Sequence, residues 1–220
     1  MKNLMERFLS QAERQKIESC IRAAETRTRG EIMVVVVGSS YHYPGADLRA
    51  AAAFAFPIAV ALTPFLGGLF WAGPYNIWIF LGALIPMFLV FQAAVKKIPS
   101  LKRIFISARE METEVQEAAE IQFYKKGVYR TREETGVLLY VSVFERKAWV
   151  LGDRGINAKI PEGYWKGVVD TIVQGIREGR PAESICQAVG GMASVIAEKF
   201  PVRAGDQDEL VNLVVEGGSS

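Results

Sequence analysis

Residues 50–70, AAAAFAFPIAVALTPFLGGLF, and residues 75–95, YNIWIFLGALIPMFLVFQAAV, decide how this chain is organised. From Ala50 to Val95 there is no Asp, Glu, Lys, Arg or His, so all 26 Lys and Arg and all 24 Asp and Glu fall in the flanking segments. Each run has the length of about 20 residues that crosses a hydrocarbon core about 30 Å thick. A charge at the centre of such a helix costs at least about 2.5–3.5 kcal/mol, which accounts for the gap. A buried hairpin in a small soluble core needs no uncharged stretch this long. Gly73-Pro74 joins the runs, and Trp71, Tyr75 and Trp78 cluster at the turn as interfacial aromatics do. Pro57, Pro64 and Pro86 predict kinks in the spans.

Topology follows from the basic residues. Lys96, Lys97, Lys102 and Arg103 follow the second run, Arg49 precedes the first, and the turn has none. Positive-inside bias then places both termini and the polar domain in the cytoplasm, at a cell inner membrane crossed twice. The first 30 residues are charged and contain no apolar run of the kind that heads a cleavable signal.

The polar remainder reads as one α/β domain made of residues 1–49 and 96–202, with 50–95 inserted. Ser10-Gln-Ala-Glu13 is a capping box ahead of a helix whose apolar face carries Ile17, Cys20, Ile21 and Ala24. Glu31-Ile-Met-Val-Val-Val-Val37 is a β-branched run covered on both faces. Leu101, Ile104, Phe105, Ala108, Met111 and Val115 predict one helix running to about Lys126. Gly136–Val143 and Ala148–Leu151 read as strands paired antiparallel across the tight turn Phe144–Lys147. Two helices close the domain. One carries Trp165, Val168, Val169, Ile172 and Ile176. The other starts at Pro181 and carries Ile185, Val189, Met192 and Ile196. This order predicts a three-layer α/β sandwich with a small mixed sheet flanked by helices. Residues 203–220, acidic and then Gly/Ser-rich, read as a mobile tail.

Composition excludes several functions. The net charge is +2, and no basic stripe is interleaved with aromatics, so there is no nucleic-acid footprint. Cys20 and Cys186 sit on apolar helix faces and read as small core residues, neither a disulfide nor a metal pair. His42 is the single histidine and no nucleophile motif accompanies it, so it reads as a loop residue.

Three polar clusters remain. Gly152-Asp153-Arg154-Gly155 follows a strand end, where open α/β sheets gather ligands. Asp153 there is a candidate ligand for calcium or magnesium, or it simply shapes the turn. Thr131-Arg-Glu-Glu-Thr-Gly136, with Arg130 before it, offers a polar rim or a solvated loop. Arg29-Gly30-Glu31 leads into the first strand, and Glu31 reads as a strand-edge ion-pair partner, or as half of a carboxylate pair with Asp153 if their strands are adjacent.

These segments together resemble the TPM domain family. The residues that carry the resemblance are Thr28–Val36, Thr135–Val143, the turn at Glu145-Arg-Lys147, Ala148–Ile156, and the helix pair from about Tyr164 to Phe200. The resemblance implies an α/β sandwich. It also implies the family's associations: photosystem II repair, respiratory-complex assembly, an acid phosphatase activity and divalent-metal binding. Asp153 and Glu31 match acidic positions near the family's proposed site. The internal hairpin departs from relatives that carry an export signal and a terminal anchor. Two functions are expected. One is a membrane-anchored module that interacts with, assembles or maintains membrane protein complexes. The alternative is a divalent-metal-dependent acid phosphatase acting on small phosphomonoesters, with Arg154 and Arg132 helping to neutralise charge.

Overall fold

The β-branched run at residues 31–37 forms the strand around which the domain is built. The structure, a computed structural model, describes residues 5–6, 8–71, 73–161, 163–202 and 210–216. The chain divides into two compact units, 1–41 with 111–220, and 42–110.

In the first unit, α1 (Gln11–Glu25) begins at the expected capping box, with Ser10 and Glu13 each closing on the other's backbone. It leads into β1 (Glu31–Val37), buried along its whole length. β2 (Gly136–Ser142) lies parallel to β1, with Glu31 opposite Gly136 and Val37 opposite Ser142. β3 (Lys147–Gly152) returns antiparallel to β2, the short turn leaving no other option. The sheet order is β3-β2-β1-β4, where β4 (Leu213–Glu216) runs parallel to β1 on its far side. β4 corrects the mobile-tail expectation. Leu213-Val-Val-Glu216 is short, but it satisfies the open edge of β1. Residues 203–209 and 217–220 of that tail lie outside the described residues.

Period-two alternation sends the two faces of the sheet to different helices. Ile32, Val34 and Val36 of β1, with Val137, Leu139 and Val141 of β2, pack on α1, α7 (Gly163–Arg177) and α8 (Pro181–Lys199). Met33, Val35, Val37, Leu138 and Tyr140 face α5 (Ala108–Lys125) through Val115, Ala119 and Phe123. The expected three-layer sandwich with a mixed sheet is therefore present. Each fully buried Ile, Leu or Val contributes about 1.5–3 kcal/mol to it. α6 (Arg154–Asn157) is a single turn after β3.

Cys20 in α1 and Cys186 in α8 form a disulfide, with Cα atoms 5.6 Å apart. This corrects the reading of two independent core thiols. The face of each helix was right, but the packing of α1 on α8 brings the two faces together.

In the second unit, α2 (Pro44–Leu69) and α3 (Ile77–Lys97) are helices long and apolar enough to cross a membrane. Along α2 the buried positions Ala51, Ala55, Ala59, Thr63 and Gly67 recur every fourth residue. Such a stripe lets two helices approach closely without a hydrophobic driving force. A Cβ on Gly67 would come within 2.1 Å of the Gly73 carbonyl, so the turn needs glycine there. Phe54 meets Phe91 and Phe56 meets Phe80, with ring centroids 5.6 and 5.9 Å apart. Asn76 caps α3 by accepting from the Trp78 amide at 2.9 Å. At the foot of the pair, Lys102 bridges Asp47 at 3.0 Å, and Arg49 bridges Glu110 at 3.1 Å.

The single helix expected from Leu101 to Lys126 is two. α4 (Pro99–Ile104) stops at Phe105, and Ser107 caps the start of α5 by accepting from the Glu110 amide at 3.0 Å. A serine that bonds the backbone ahead of it competes with helix continuation.

Candidate functional site

All three polar clusters singled out in the sequence meet at one edge of the sheet. It is the amino edge of the parallel strands, because β3 runs antiparallel and carries Asp153 back to where β2 begins. The reasoning from carboxyl ends of strands therefore does not apply to Asp153.

The edge is knitted by short backbone contacts. The Glu31 amide donates to the Thr135 carbonyl at 3.2 Å, and the Asp153 amide donates to the Gly136 carbonyl at 2.8 Å. Thr135 Oγ1 donates to the Arg29 carbonyl at 3.1 Å, and the Thr135 amide donates to Thr131 Oγ1 at 2.9 Å. Arg29 Nε donates to the Pro201 carbonyl at 2.8 Å, while its guanidinium pairs with Glu133. Gly155 sits directly under the loop before β2: a Cβ there would lie 2.7 Å from the Glu134 carbonyl and 3.0 Å from that of Glu133. Glu134 holds the left-handed conformation at φ 55, which a non-glycine residue adopts at a cost of about 1–2 kcal/mol.

Asp153 is buried. Its Oδ1 accepts from the Arg154 amide at 2.7 Å, and its Oδ2 has no hydrogen-bond partner among the described residues. Burial pushes its carboxyl above the ordinary aspartate range. The Arg154 amide opposes that rise, and the charge on Glu134 adds to it. Glu31 is also buried. It lies on the same face of the sheet, two strand spacings or about 9–10 Å away. The two do not form adjacent partners. β2 runs between them, and Val128 fills the place above Gly136, where a Cβ would meet the Val128 carbonyl at 2.2 Å. Among the described residues no three His, Cys, Asp or Glu side chains come together as a metal cluster. The Glu133 and Glu134 carbonyls pack against Gly155, two residues beyond Asp153. One unpartnered carboxylate oxygen matches the hard-oxygen preference of calcium in kind, though thin in charge.

A second polar group lies at the carboxyl edge, and sequence reading missed it. Glu145, in the turn between β2 and β3, is almost wholly buried. Its carboxylate accepts from Ser39 Oγ at 3.1 Å, from the Ser40 amide at 3.0 Å, and from Ser142 Oγ. Ser40 Oγ is 3.1 Å from the Tyr140 hydroxyl, whose pKa burial raises to about 12. The one signal available was an acid in a tight turn with Ser142 three residues before it. Both carboxylate oxygens are engaged, so the group clamps the exit of β1 onto the β2–β3 turn. His42 is exposed and contributes its carbonyl to Lys102.

A family model for the TPM domain matches residues 91–195. The match takes in Thr135–Val143, Ala148–Ile156 and most of the closing helix pair, and it stops short of Thr28–Val36 on the other side of the inserted helices. No curated protein matches the chain by sequence. Among solved structures, the NMR structure of the BA42 protein from the psychrophilic bacterium Bizionia argentinensis is similar, with a TM-score of 0.57 and 21% identity. The alignment covers 96% of this chain and 96% of that one. At that identity the likeness is one of fold, and the family match is a similarity over residues 91–195, just under half of the chain.

Proposed function

We propose that this protein is a membrane-anchored module that holds an α/β domain at a bilayer and acts in the interaction, assembly or maintenance of membrane protein complexes. The observation behind it is the pair α2 and α3. Both are uncharged along their apolar lengths, and none of the most apolar stretch of α3 is buried within the chain. Such a surface needs lipid or another apolar cover. Full-length protein, extracted in a mild neutral detergent after a wash in alkaline carbonate, tests it. Integral membrane subunits should co-purify. Release by the carbonate wash alone would refute the anchor.

Both hairpin ends are proposed to face the cytoplasm, on the strength of Lys96, Lys97, Lys102 and Arg103. Disulfides persist in oxidising compartments, so the Cys20–Cys186 bond argues for the other side. One labelling experiment resolves both. A membrane-impermeant maleimide applied to intact cells should reach an introduced Gly68→Cys and not a cysteine placed at residue 220. The reverse pattern overturns the assignment.

A second reading, metal-dependent hydrolysis of phosphomonoesters, has one observation in its favour: the buried, unpartnered Oδ2 of Asp153. Asp153 would hold the cation, which would supply charge neutralisation for phosphoryl transfer. With a single carboxylate the affinity should fall near about 10⁻⁴–10⁻³ M for calcium, and magnesium should bind less tightly. Calorimetric titration with calcium should give heats that Asp153→Asn abolishes. Equal heats for both proteins remove the site.

A further inference from the structure

A cavity of about 340 Å³ opens beside the C-terminal end of α5, and its wall includes Tyr124, Lys125, Lys126, Arg130 and Thr131. It owes its shape to Gly127, whose φ of 73 turns the chain from α5 into the 3₁₀ turn Val128–Arg130. Among the described residues no acidic side chain lines it. Lys126 is taken up by Glu216 at 2.8 Å. Lys125 and Arg130 make no ion pair among the described residues, though both are close enough to line one pocket. Arg130 is also held in place. Its Nε donates to the Tyr129 hydroxyl at 2.9 Å, and its guanidinium carbon lies 5.3 Å from the centre of that ring. The terminal guanidinium nitrogens are left for a ligand. Tyr124 packs against Tyr129 with centroids 5.5 Å apart, giving the pocket an aromatic side.

We propose that this pocket binds a phosphate group, carried either by a free phosphate compound or by the headgroup of an anionic lipid. A fixed guanidinium fork matches two phosphate oxygens at once, and a nearby ammonium supplies a third, non-directional charge. Two cations with no counter-charge among the described residues, in a concave polar site, repel each other until an anion arrives. The volume suits a small ligand. An extended acidic peptide would need a groove, and this is a compact cavity. The site is separate from Asp153 and independent of both readings above.

The test uses full-length protein in a neutral maltoside detergent, at fixed ionic strength, titrated with inorganic phosphate. Binding is read by calorimetry and by broadening of the phosphorus-31 signal. Arg130→Ala and Lys125→Ala should each weaken binding about tenfold or more, the loss expected for a charge-assisted hydrogen bond. Arg130→Lys should recover only part of it, because the charge returns without the fork. Lys166→Ala, on the exposed side of α7, should change nothing. Near-ultraviolet circular dichroism checks that each variant is folded. A parallel series in nanodiscs of phosphatidylcholine alone, or with phosphatidylglycerol, separates the sources. If a lipid headgroup is the ligand, phosphatidylglycerol raises the melting temperature of the wild type and not of Arg130→Ala, and it suppresses the phosphate signal. If a free phosphate compound is the ligand, phosphate binds equally in both discs. No binding in either arm, or binding that folded Arg130→Ala and Lys125→Ala leave intact, overturns the proposal.

Discussion

Reducing the Cys20–Cys186 bond is the perturbation whose size can be worked out most directly. The two cysteines are 166 residues apart in sequence. Loop-closure entropy for a bridge of that span gives about 5 kcal/mol of stabilisation. Residues 44–97 lie inside the loop, and on the proposed membrane-anchored reading they stay folded in detergent while the α/β unit unfolds. That shortens the effective loop, but the dependence is logarithmic and removes only about 0.4 kcal/mol. Native bridges deliver about 2–5 kcal/mol in practice, so the loss on reduction should fall there. For a unit of this size each kcal/mol moves the melting temperature about 2–4 °C, so reduction should lower it by roughly 5–20 °C. The assay is thermal unfolding in detergent, followed by near-ultraviolet circular dichroism, with and without a phosphine reductant. Cys20→Ser should melt low from the start and ignore the reductant. Alkylation before reduction, read by mass spectrometry, counts free thiols. Protein with no free thiol whose melting temperature does not respond to reductant would refute the entropic reasoning. Two free thiols in freshly purified protein would refute the bond itself.

Three other outcomes follow from Trp165, Asp153 and Glu134. Trp165 is 6% exposed, and its indole N–H has no partner among the described residues. Trp165→Ala should lose about 3–5 kcal/mol in denaturant titration. Trp165→Phe should stay within about 1 kcal/mol of wild type, because it also removes a buried donor left unsatisfied. Equal losses would mean that the N–H is bonded after all. Asp153 has a raised pKa, so the folded state holds its proton more tightly than the unfolded chain does. Its contribution is then favourable below the unfolded value, about 3.9, and disappears as pH rises through the raised folded value. Asp153→Asn, which can still cap α6, should therefore melt higher than wild type at pH 7. The gain should shrink to nothing in acid, whereas a gain constant with pH would contradict the burial argument. Glu134→Gly should stabilise by about 1 kcal/mol by relieving the positive φ. A loss in the same melting assay would show that the Glu134 side chain, and not its backbone, holds the loop.

Much of the architecture was legible because it rests on local pattern. The run at residues 31–37 could only be a strand covered on both faces, and the capping box at Ser10 fixed the start of α1. What the sequence hid depended on pairing. The strand of Asp153 was correctly placed, yet its edge was wrong, since an antiparallel return reverses which end is which. Cys20 and Cys186 each had the right helix face, and only the crossing of α1 with α8 joins them. β4 is short and sits in a segment whose acidic and Gly/Ser composition points away from order. Ser107 broke a helix that the apolar spacing ran straight through.

β4 has a consequence for how this protein should be handled. It runs beside β1 from Val34 to Val37, and among the described residues it is the one strand on that side. Were it cut away by a protease or crowded out by a C-terminal fusion, the unpaired main chain of Val34–Val37 would become an open template flanked by valines. Such an edge recruits any extended peptide that can complete it, another copy's β4 included. Strand exchange between molecules is then the failure to look for in damaged preparations, and a tag placed at the other end of the chain avoids provoking it.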